Sequence, residues 1–348
     1  MTVSQAAEVP RGPVWIAQLF LLSLLVPIYL PVGQLVLMPH RIFLLAVFIP
    51  FFLMLFVFRV CGPVLVADWL LFLSALWTLP VLLVNDDPSP LQPFGVHMLE
   101  FFGAYLLARV AIRSSEDFRR MVRTLFVMLA VLLPFAAAES ITGRAIMLEL
   151  LPGTSVDATS NQPRWGLKRA QTIFAHPILF GVFASTGFAL FWYAMRPRWM
   201  RFIAAPVSVA ATFFSLSLGA FISIALQFVF ISWQTVLRTF RRRWSVFTGL
   251  AVTSYVTLDL LSNRTPFHLL VDYASFDNRA AYNRILIWRH GTRNVADNPI
   301  FGLGRNEWVR PDWMSSSTDN YWLLLTMQFG LPANIMIPVS YTHLRAHE

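Results

Sequence analysis

The sequence predicts an all-α, polytopic transmembrane helical bundle with a large external helical loop. Of the 348 residues, 57% are hydrophobic and 13% are charged, and the mean hydropathy is +0.60, which lies outside the balance typical of soluble domains. Apolar runs of about 20 residues, each long enough to cross a hydrocarbon layer, recur along the chain. The basic residues fall at the ends of these runs and in two long connections, a distribution typical of membrane proteins.

About ten spans are predicted, and together they form one transmembrane domain over residues 1–339. Their approximate limits are 14–33, 42–60, 62–85, 94–112, 121–140, 177–195, 202–216, 218–237, 245–262 and 320–339. The first run is expected to be a retained span, because no cleavage site with a signal-peptide pattern is evident. Residues 340–348 follow Pro338 and differ in composition from what precedes them, so we expect a non-native tail there, with further spans in the natural chain.

The charged connections predict an orientation for the bundle. The basic stretches 109–123, 196–201 and 238–243 are assigned to the cytoplasm together with the N-terminus, because cytoplasmic loops carry an excess of Arg and Lys. On the same alternation, two longer connections, 141–176 and 263–319, form external loops. Both external loops are rich in Arg, which indicates an anionic partner there.

The formal net charge of +9 would also suit a nucleic-acid-binding protein. The basic residues do not form one continuous stripe, however, so no nucleic acid is predicted as a partner. The single cysteine, Cys61, cannot form an internal disulfide. No Cys/His cluster has zinc-like spacing, and we predict neither a metal nor a cofactor.

An amphipathic helix is predicted over residues 278–294, with Asp277 or Asn278 as its cap. At 100° per residue, one face of this helix carries the side chains of Arg279, Tyr282, Arg289, His290 and Arg293. Arg284 and Trp288, four residues apart, share the opposite side. Three guanidinium groups on one face suit a diphosphate, because each donates paired hydrogen bonds to phosphate oxygens. Pairing of the face with Asp272, Asp277 or Asp297 is an equally good explanation.

Polar residues also stand where other spans meet the outer surface. Asp319 and Asn320 precede the last predicted span, where an acid could take a proton from an acceptor hydroxyl or simply cap the helix. Lys168, Arg169 and His176 precede the span that begins at Pro177. The imidazole of His176 is a candidate proton carrier or phosphate contact, and a local hydrogen bond is the alternative.

The fourth predicted span carries His97 and Glu100 one turn apart. Ionisable groups inside a membrane are costly, so they face a cavity or pair with one another. Downstream, the NPIFGLG segment at 298–304 predicts a helix stop followed by a tight turn. Its Gly-x-Gly is not a dinucleotide-binding motif, because no strand precedes it.

Several of these segments together resemble the O-antigen ligase and polymerase superfamily of integral membrane proteins. The resemblance covers most of the chain from about residue 139. It is carried, in order, by Glu139 with Thr142 and Gly143, RAQTIFAHPILFG, the FSLSLGA hairpin at 214–220, Arg284 with Trp288, NPIFGLG and DNYWLLLTMQFGLP. Two positions depart from the ligase pattern, since Asp319 stands where His is typical and the hairpin reads Ser217-Leu218-Gly219 instead of Ser-Arg-Gly. The Asp-Asn form is more similar to polymerases.

The resemblance implies a multi-pass protein of the bacterial inner membrane whose donor is an undecaprenyl-diphosphate-linked glycan. The acceptor would be a glycan or the lipid A core, and a chain-length regulator protein and membrane lipids are the other expected partners. The expected catalytic residues are Asp319, His176 and Arg284. The expected diphosphate- and glycan-binding residues are Arg169, Lys168, Arg279, Arg289, Arg293, Trp288 and Asn320. Metal is not expected to take part.

Two other classes of function remain open from the sequence. A transporter or flippase for the same lipid-linked sugars would also need many spans, although transporters keep their polar sites near the middle of the membrane. A noncatalytic scaffold of an envelope assembly complex would tolerate single replacement of the external Arg residues.

Overall fold

A computed structural model describes residues 12–32, 35–151, 153–159, 163–262, 265–266, 278–318 and 320–345. Almost all regular secondary structure in the described chain is helical. Its α-helices are α1 (Val14–Ser23), α2 (Pro39–Phe52), α3 (Val66–Val84), α4 (Leu91–His97), α5 (Ala104–Ala111), α6 (Ser115–Thr142), α7 (Ile146–Leu150), α8 (Pro177–Ala194), α9 (Arg201–Phe214), α10 (Leu218–Val236), α11 (Arg243–Leu261), α12 (Asn278–Asp297) and α13 (Tyr321–Arg345). A π-helical segment, Leu53–Val57, extends α2, another, Met98–Gly103, joins α4 to α5, and a 3₁₀ turn, Arg198–Met200, precedes α9.

Eight helical stretches in the described part of the chain are long and apolar enough to cross a membrane. They are Pro39–Val57, Val66–Val84, Leu91–Ala111, Ser115–Thr142, Pro177–Ala194, Leu218–Val236, Arg243–Leu261 and Tyr321–Thr342. Every predicted span after the first overlaps one of these stretches or the shorter helix α9. The prediction of an all-α polytopic bundle is therefore confirmed.

The first predicted span differs from the structure. Helix α1 ends at Ser23, and a short antiparallel pair follows, formed by β1 (Leu30–Val32) and β2 (Leu35–Leu37). Pro27 and Pro31 lie in this stretch. Proline lacks a backbone N–H and its ring clashes with the preceding turn, which accounts for the end of α1 before Pro27.

The chain divides into two compact units. The first unit comprises Met1–His40 and Ala111–Leu270, and the second comprises Arg41–Val110 and Val271–Glu348. The core of the first unit lies between α6, α8 and α9, with the side chains of Leu129, Phe180 and Ala211 almost fully buried there. Small residues permit close helix approach in such cores, and Ser208 Oγ on α9 donates to the carbonyl of Ala184 on α8 at 2.6 Å.

In the second unit, α13 packs along α3. Trp77 on α3 donates its indole N–H to the carbonyl of Phe329 at 3.0 Å, and Ser74 Oγ donates to the carbonyl of Ala333 at 3.1 Å. The ring of Trp77 also stacks on Phe301, with centroids 5.4 Å apart. These contacts attach the NPIFGLG segment and α13 to the same helix.

Helix α13 is broken at Gly330, whose backbone (φ 75°, ψ 176°) is not helical. An uninterrupted helix would have Leu331 donate its N–H to the carbonyl of Met327. Instead Leu331 donates to the carbonyl of Pro299 at 2.8 Å. A Cβ at position 330 would lie 1.9 Å from the carbonyl oxygen of Ile300, so only glycine fits there.

The NPIFGLG segment supplies the donors that the break removes. Leu303 donates its N–H to the carbonyl of Met327 at 2.8 Å, and Gly304 donates to that of Gln328 at 2.9 Å. Gln328 would lack a helical donor in any case, because Pro332 has no N–H. The NPIFGLG segment and the broken helix thus complete each other's backbone hydrogen bonds.

Candidate functional site

The chain just before α8 is fixed to the C-terminal end of α6 by one carboxylate. Glu139 is 2% exposed, and its two oxygens accept the backbone N–H groups of Gln171 at 3.1 Å and Thr172 at 2.9 Å. Ser140 adds two bonds, because its Oγ donates to the carbonyl of Lys168 at 2.7 Å and its carbonyl accepts the N–H of Lys168 at 3.0 Å. Residues 168–172, the docked loop, therefore have a defined backbone position.

The docked loop presents Arg169, which is 9% exposed. Its Nε donates to the carbonyl of Ser215 at 3.4 Å, while the neighbouring Ala170 N–H donates to the carbonyl of Phe214 at 2.9 Å. Within the described residues, no carboxylate lies within 4 Å of this guanidinium, and its two Nη atoms make no hydrogen bond. A buried cation that lacks a counterion is suited to bind an anion.

A second arginine meets the same turn between α9 and α10. Arg164 Nη1 donates to the carbonyl of Leu216 at 2.6 Å. Leu216 is buried and has a positive φ of 46°, so the hairpin is tight at this residue. Burial and, to a lesser degree, the positive charge of Arg164 lower the pKa of Arg169 to about 10. Arg169 is still protonated at neutral pH, and we name Arg164 and Arg169 the hairpin arginines.

Two other predicted residues of the first unit make local structural contacts. Lys168 Nζ donates to the carbonyl of Gly143 at 2.5 Å, and Gly143 ends α6 in the left-handed conformation. The negative end of the α6 dipole also stabilises a cation at this position. His176 is the N-cap of α8, where its Nδ1 accepts the N–H of Ile178 at 3.2 Å. The functional roles assigned to Lys168 and His176 stay predictions.

The sequence around the hairpin arginines contains no carboxylate. Between Asp157 and Asp259 the chain contains no Asp or Glu. Helices α8, α9 and α10 and their connections therefore carry cations without any carboxylate from the same stretch. Any counterion for these cations must come from another part of the chain or from a ligand.

In the second unit, α12 is the predicted amphipathic helix. Leu286 and Ile287 pack against Leu323 and Met327 of α13. A Cβ at Gly291 would lie 2.6 Å from the side chain of Leu323, so the two helices approach closely at this glycine. Packing of this face leaves the polar faces of α12 outward.

Three residues of the predicted basic face are exposed, namely Tyr282, Arg289 and Arg293, and His290 is half-buried. Within the described residues, neither Arg289 nor Arg293 is paired with a carboxylate, and this includes Asp297. The Arg279 side chain and the alternative partners Asp272 and Asp277 lie outside the described residues. Arg284 is half-buried and Trp288 is exposed, each already in contact with another group.

The start of α13 is capped by Asn320. Its Oδ1 accepts the N–H of Leu323 at 3.1 Å, which is the usual N-cap geometry. Asp319 lies outside the described residues. Both alternatives considered for Asp319, the helix cap and the catalytic acid, therefore stay predictions.

The ionisable pair of the fourth span has other contacts. Glu100 Oε1 lies 2.6 Å from Arg41 Nε. The ring of His97 stacks on Phe101, with centroids 5.3 Å apart, and contacts Phe329 at 5.0 Å. Glu100 therefore has a cationic partner other than His97.

Two contributors were not selected from the sequence. Arg164 lies in the predicted external loop, but its pairing with Leu216 depends on a tight turn that no sequence pattern revealed. Glu139 was noted only through the family resemblance, and its isolated charge at the end of an apolar span was the available signal. Among the described residues, no three His, Cys, Asp or Glu side chains are grouped to hold a metal ion.

The eight apolar helices and the nearly complete absence of strands in the described chain define an all-α, multi-pass membrane protein. Residues 177–337 match the family model described as O-antigen ligase. The predicted relationship to the O-antigen ligase and polymerase superfamily is thereby confirmed over this stretch, which contains α8 to α12 and most of α13. The match indicates an O-antigen ligase or polymerase type of role in surface polysaccharide synthesis. No curated protein and no solved structure matches the chain.

Proposed function

We propose that this protein transfers or polymerises an undecaprenyl-diphosphate-linked glycan on the periplasmic face of a bacterial inner membrane, with its N-terminus in the cytoplasm. The products would be O-antigen or exopolysaccharide. The observation that carries this proposal is the buried guanidinium of Arg169, held beside Arg164 on the 214–217 hairpin without a carboxylate partner among the described residues. A phosphate oxygen of a diphosphate is the acceptor that the Arg169 guanidinium can bind.

The proposed reaction is a glycosyl transfer. The acceptor hydroxyl oxygen attacks the anomeric carbon of the donor sugar, and the bond from that carbon to the phosphate oxygen breaks. The lipid diphosphate leaves with the bonding electrons, and the hydroxyl proton passes to a carboxylate or imidazole. Fixed guanidinium groups stabilise the charge that develops on the leaving phosphate oxygen. The lipid tail of the donor stays in the bilayer.

The individual roles follow the sequence predictions. Asp319 or His176 receives the proton, and Arg284 stabilises the leaving group. Diphosphate or glycan binding is assigned to Arg169, Lys168, Arg279, Arg289, Arg293, Trp288 and Asn320. The lack of a carboxylate partner for Arg289 and Arg293 among the described residues supports an anionic ligand for α12. The reaction proposed here needs no metal.

The test is a reconstituted assay with purified protein and a labelled undecaprenyl-diphosphate oligosaccharide, followed by gel analysis of the glycan. We expect chain growth or transfer that persists in EDTA. Arg169→Ala and Arg284→Ala should each reduce the rate at least about 100-fold, because a lost charge-stabilising donor costs roughly 3 kcal/mol. Arg144→Gln is the matched control, since Arg144 lies in the same external loop as Arg169 but is exposed and paired with Glu149 at 2.6 Å.

Three results would contradict the proposal. Full activity of Arg169→Ala and Arg284→Ala would favour the noncatalytic scaffold. Movement of intact donor across the bilayer without a change in glycan length would favour the transporter. Labelling of the 263–319 segment only after permeabilisation of the inner membrane would place it in the cytoplasm, where the donor glycan is not presented.

A further inference from the structure

An apolar groove runs along the first unit between α8, α9 and α10. Its volume is about 1070 Å³, and most of its lining side chains are apolar. Phe202 and Phe228 line it and are each 60% exposed, so the groove opens on the surface of the unit. In a chain that spans a membrane, such a surface faces lipid acyl chains.

One cation stands at the end of this groove. Arg201 begins α9, and its guanidinium carbon lies 4.8 Å from the ring centroids of both Trp192 and Phe202. The two rings hold the guanidinium by cation–π contacts. Arg201 Nε is buried and has no hydrogen-bond partner among the described residues. A buried donor without a protein acceptor is available to an acceptor atom of a ligand.

Among the described residues, Arg201 has no counterion. No described carboxylate lies within 4 Å of it, and the sequence has no Asp or Glu from residue 158 to residue 258. The same end of the groove adds positive charge, because Arg196 and Arg198 immediately precede α9 and the RTFRRR segment follows α10. The ligand that fits is therefore an anion with an apolar body.

The hairpin arginines cannot share this ligand headgroup. They meet the carbonyls of Ser215 and Leu216, just beyond the C-terminal end of α9, whereas Arg201 begins the helix. A helix of 14 residues is about 20 Å long. A lipid diphosphate bound at one end would leave the guanidinium at the other end without an acceptor.

We propose that Arg201 binds the phosphate of an anionic glycerophospholipid of the surrounding bilayer, whose acyl chains occupy the groove between α8, α9 and α10. The stacked guanidinium donates Nε–H and an Nη–H to two phosphate oxygens. A zwitterionic lipid fits less well, because its ammonium group would approach the Arg196 and Arg198 side chains. This site is separate from the glycosyl-transfer site and does not depend on the proposed function.

The experiment is native mass spectrometry of the purified full chain with phosphatidylglycerol, phosphatidylcholine or undecaprenyl phosphate added in turn. We expect one retained phosphatidylglycerol and at least about fivefold less of it on Arg201→Gln, the effect of one lost Arg contact with an anionic lipid. Arg144→Gln is the matched control, since Arg144 is exposed, is paired with Glu149 at 2.6 Å and does not line the groove. It should retain the lipid.

A second variant tests the groove without altering the cation. Ala225 lines the groove and is exposed, so Ala225→Trp fills the space while Arg201 stays in place. It should bind as little phosphatidylglycerol as Arg201→Gln does. The melting temperature of the lipid-free protein should not change. Equal retention by all variants, or equal binding of phosphatidylcholine, would overturn the site. Preferential Arg201-dependent binding of undecaprenyl phosphate would overturn the assigned occupant.

Discussion

Glu139 Oε2 accepts the backbone N–H of Thr172 at 2.9 Å, and Thr172 has a positive φ of 53°. A positive φ is rare for a β-branched residue and costs free energy. The buried carboxylate of Glu139 therefore holds the docked loop in a conformation that its sequence does not favour. Arg169 is part of that loop, so its position depends on the Glu139 carboxylate at the C-terminal end of α6.

Replacement of Glu139 should release the docked loop. Glu139→Ala leaves two backbone donors without an acceptor, and we expect unfolding to become easier by roughly 3 kcal/mol. Thermal unfolding in detergent measures this loss, and donor titration should show a higher KM because Arg169 is no longer positioned. Glu149→Ala, which removes an exposed carboxylate, should change stability by less than about 0.5 kcal/mol. Equal effects of both variants would contradict the positioning role.

The stability of the ligand-free protein should depend on Arg169 and on pH. Folding lowers the pKa of Arg169 to about 10, so the unfolded chain binds more protons from pH 10 upward and stability rises there. Below pH 10 the cost of burying the charge is fully present. Arg169→Met should therefore melt about 2–4 °C higher than the wild type at pH 8, and the difference should shrink by pH 11.

Pyrophosphate is the complementary probe of the same residue. Because an anion offsets the buried charge, inorganic pyrophosphate should raise the melting temperature of the wild type and leave that of Arg169→Met unchanged at pH 8. Differential scanning fluorimetry measures the melting temperatures of both proteins with and without pyrophosphate. A pyrophosphate response of the same size in the two proteins would show that the anion binds elsewhere.

The glycine at the break of α13 should be indispensable. Gly330→Ala places a Cβ 1.9 Å from a backbone oxygen and forces an alanine to a φ of 75°, so we expect a loss of at least about 3 kcal/mol or failure to fold. Gly249→Ala in α11 meets nothing within 4 Å and should be neutral or slightly stabilising. Yield and melting temperature of the two variants decide this, and a tolerated Gly330→Ala would mean that the break is not required.

The basic face of α12 should matter for the ligand and not for folding. Both Arg289 and Arg293 are exposed, so the double change to Gln should alter stability by less than about 0.5 kcal/mol. Donor affinity should fall about tenfold and become less sensitive to salt. Arg305→Gln removes a cation that already faces Asp87 at 3.6 Å and should leave the affinity unchanged. If the double variant binds donor normally, α12 is not a diphosphate surface.

The long apolar helices were predictable because length and hydropathy alone determine them. The spans near 62–85 and 218–237 match Val66–Val84 and Leu218–Val236 within a few residues. Helix α12 was also predictable, since its apolar residues recur with the helical period. The first span was wrong beyond Ser23 because hydropathy does not register that Pro27 and Pro31 lack donors.

The site was only partly predictable, because its contacts join residues that are distant in the chain. The sequence identified Arg169 by its basic loop, but the carbonyl of Ser215 that receives it is 46 residues away. Asn320 was expected to bind substrate. Its role as the cap of α13 could not be predicted, because the sequence does not show at which residue that helix begins. Arg201 was assigned to membrane orientation with its neighbours, since only the stacked rings of Trp192 and Phe202 distinguish it.

The exchange of backbone bonds at Gly330 couples the motion of two segments. Leu303 and Gly304 cannot leave the broken helix without exposing the carbonyls of Met327 and Gln328 to hydrocarbon. The turn at residues 302–304 and α13 must therefore shift together. Any displacement of residues 298–304 would therefore be passed to α13 through those shared hydrogen bonds.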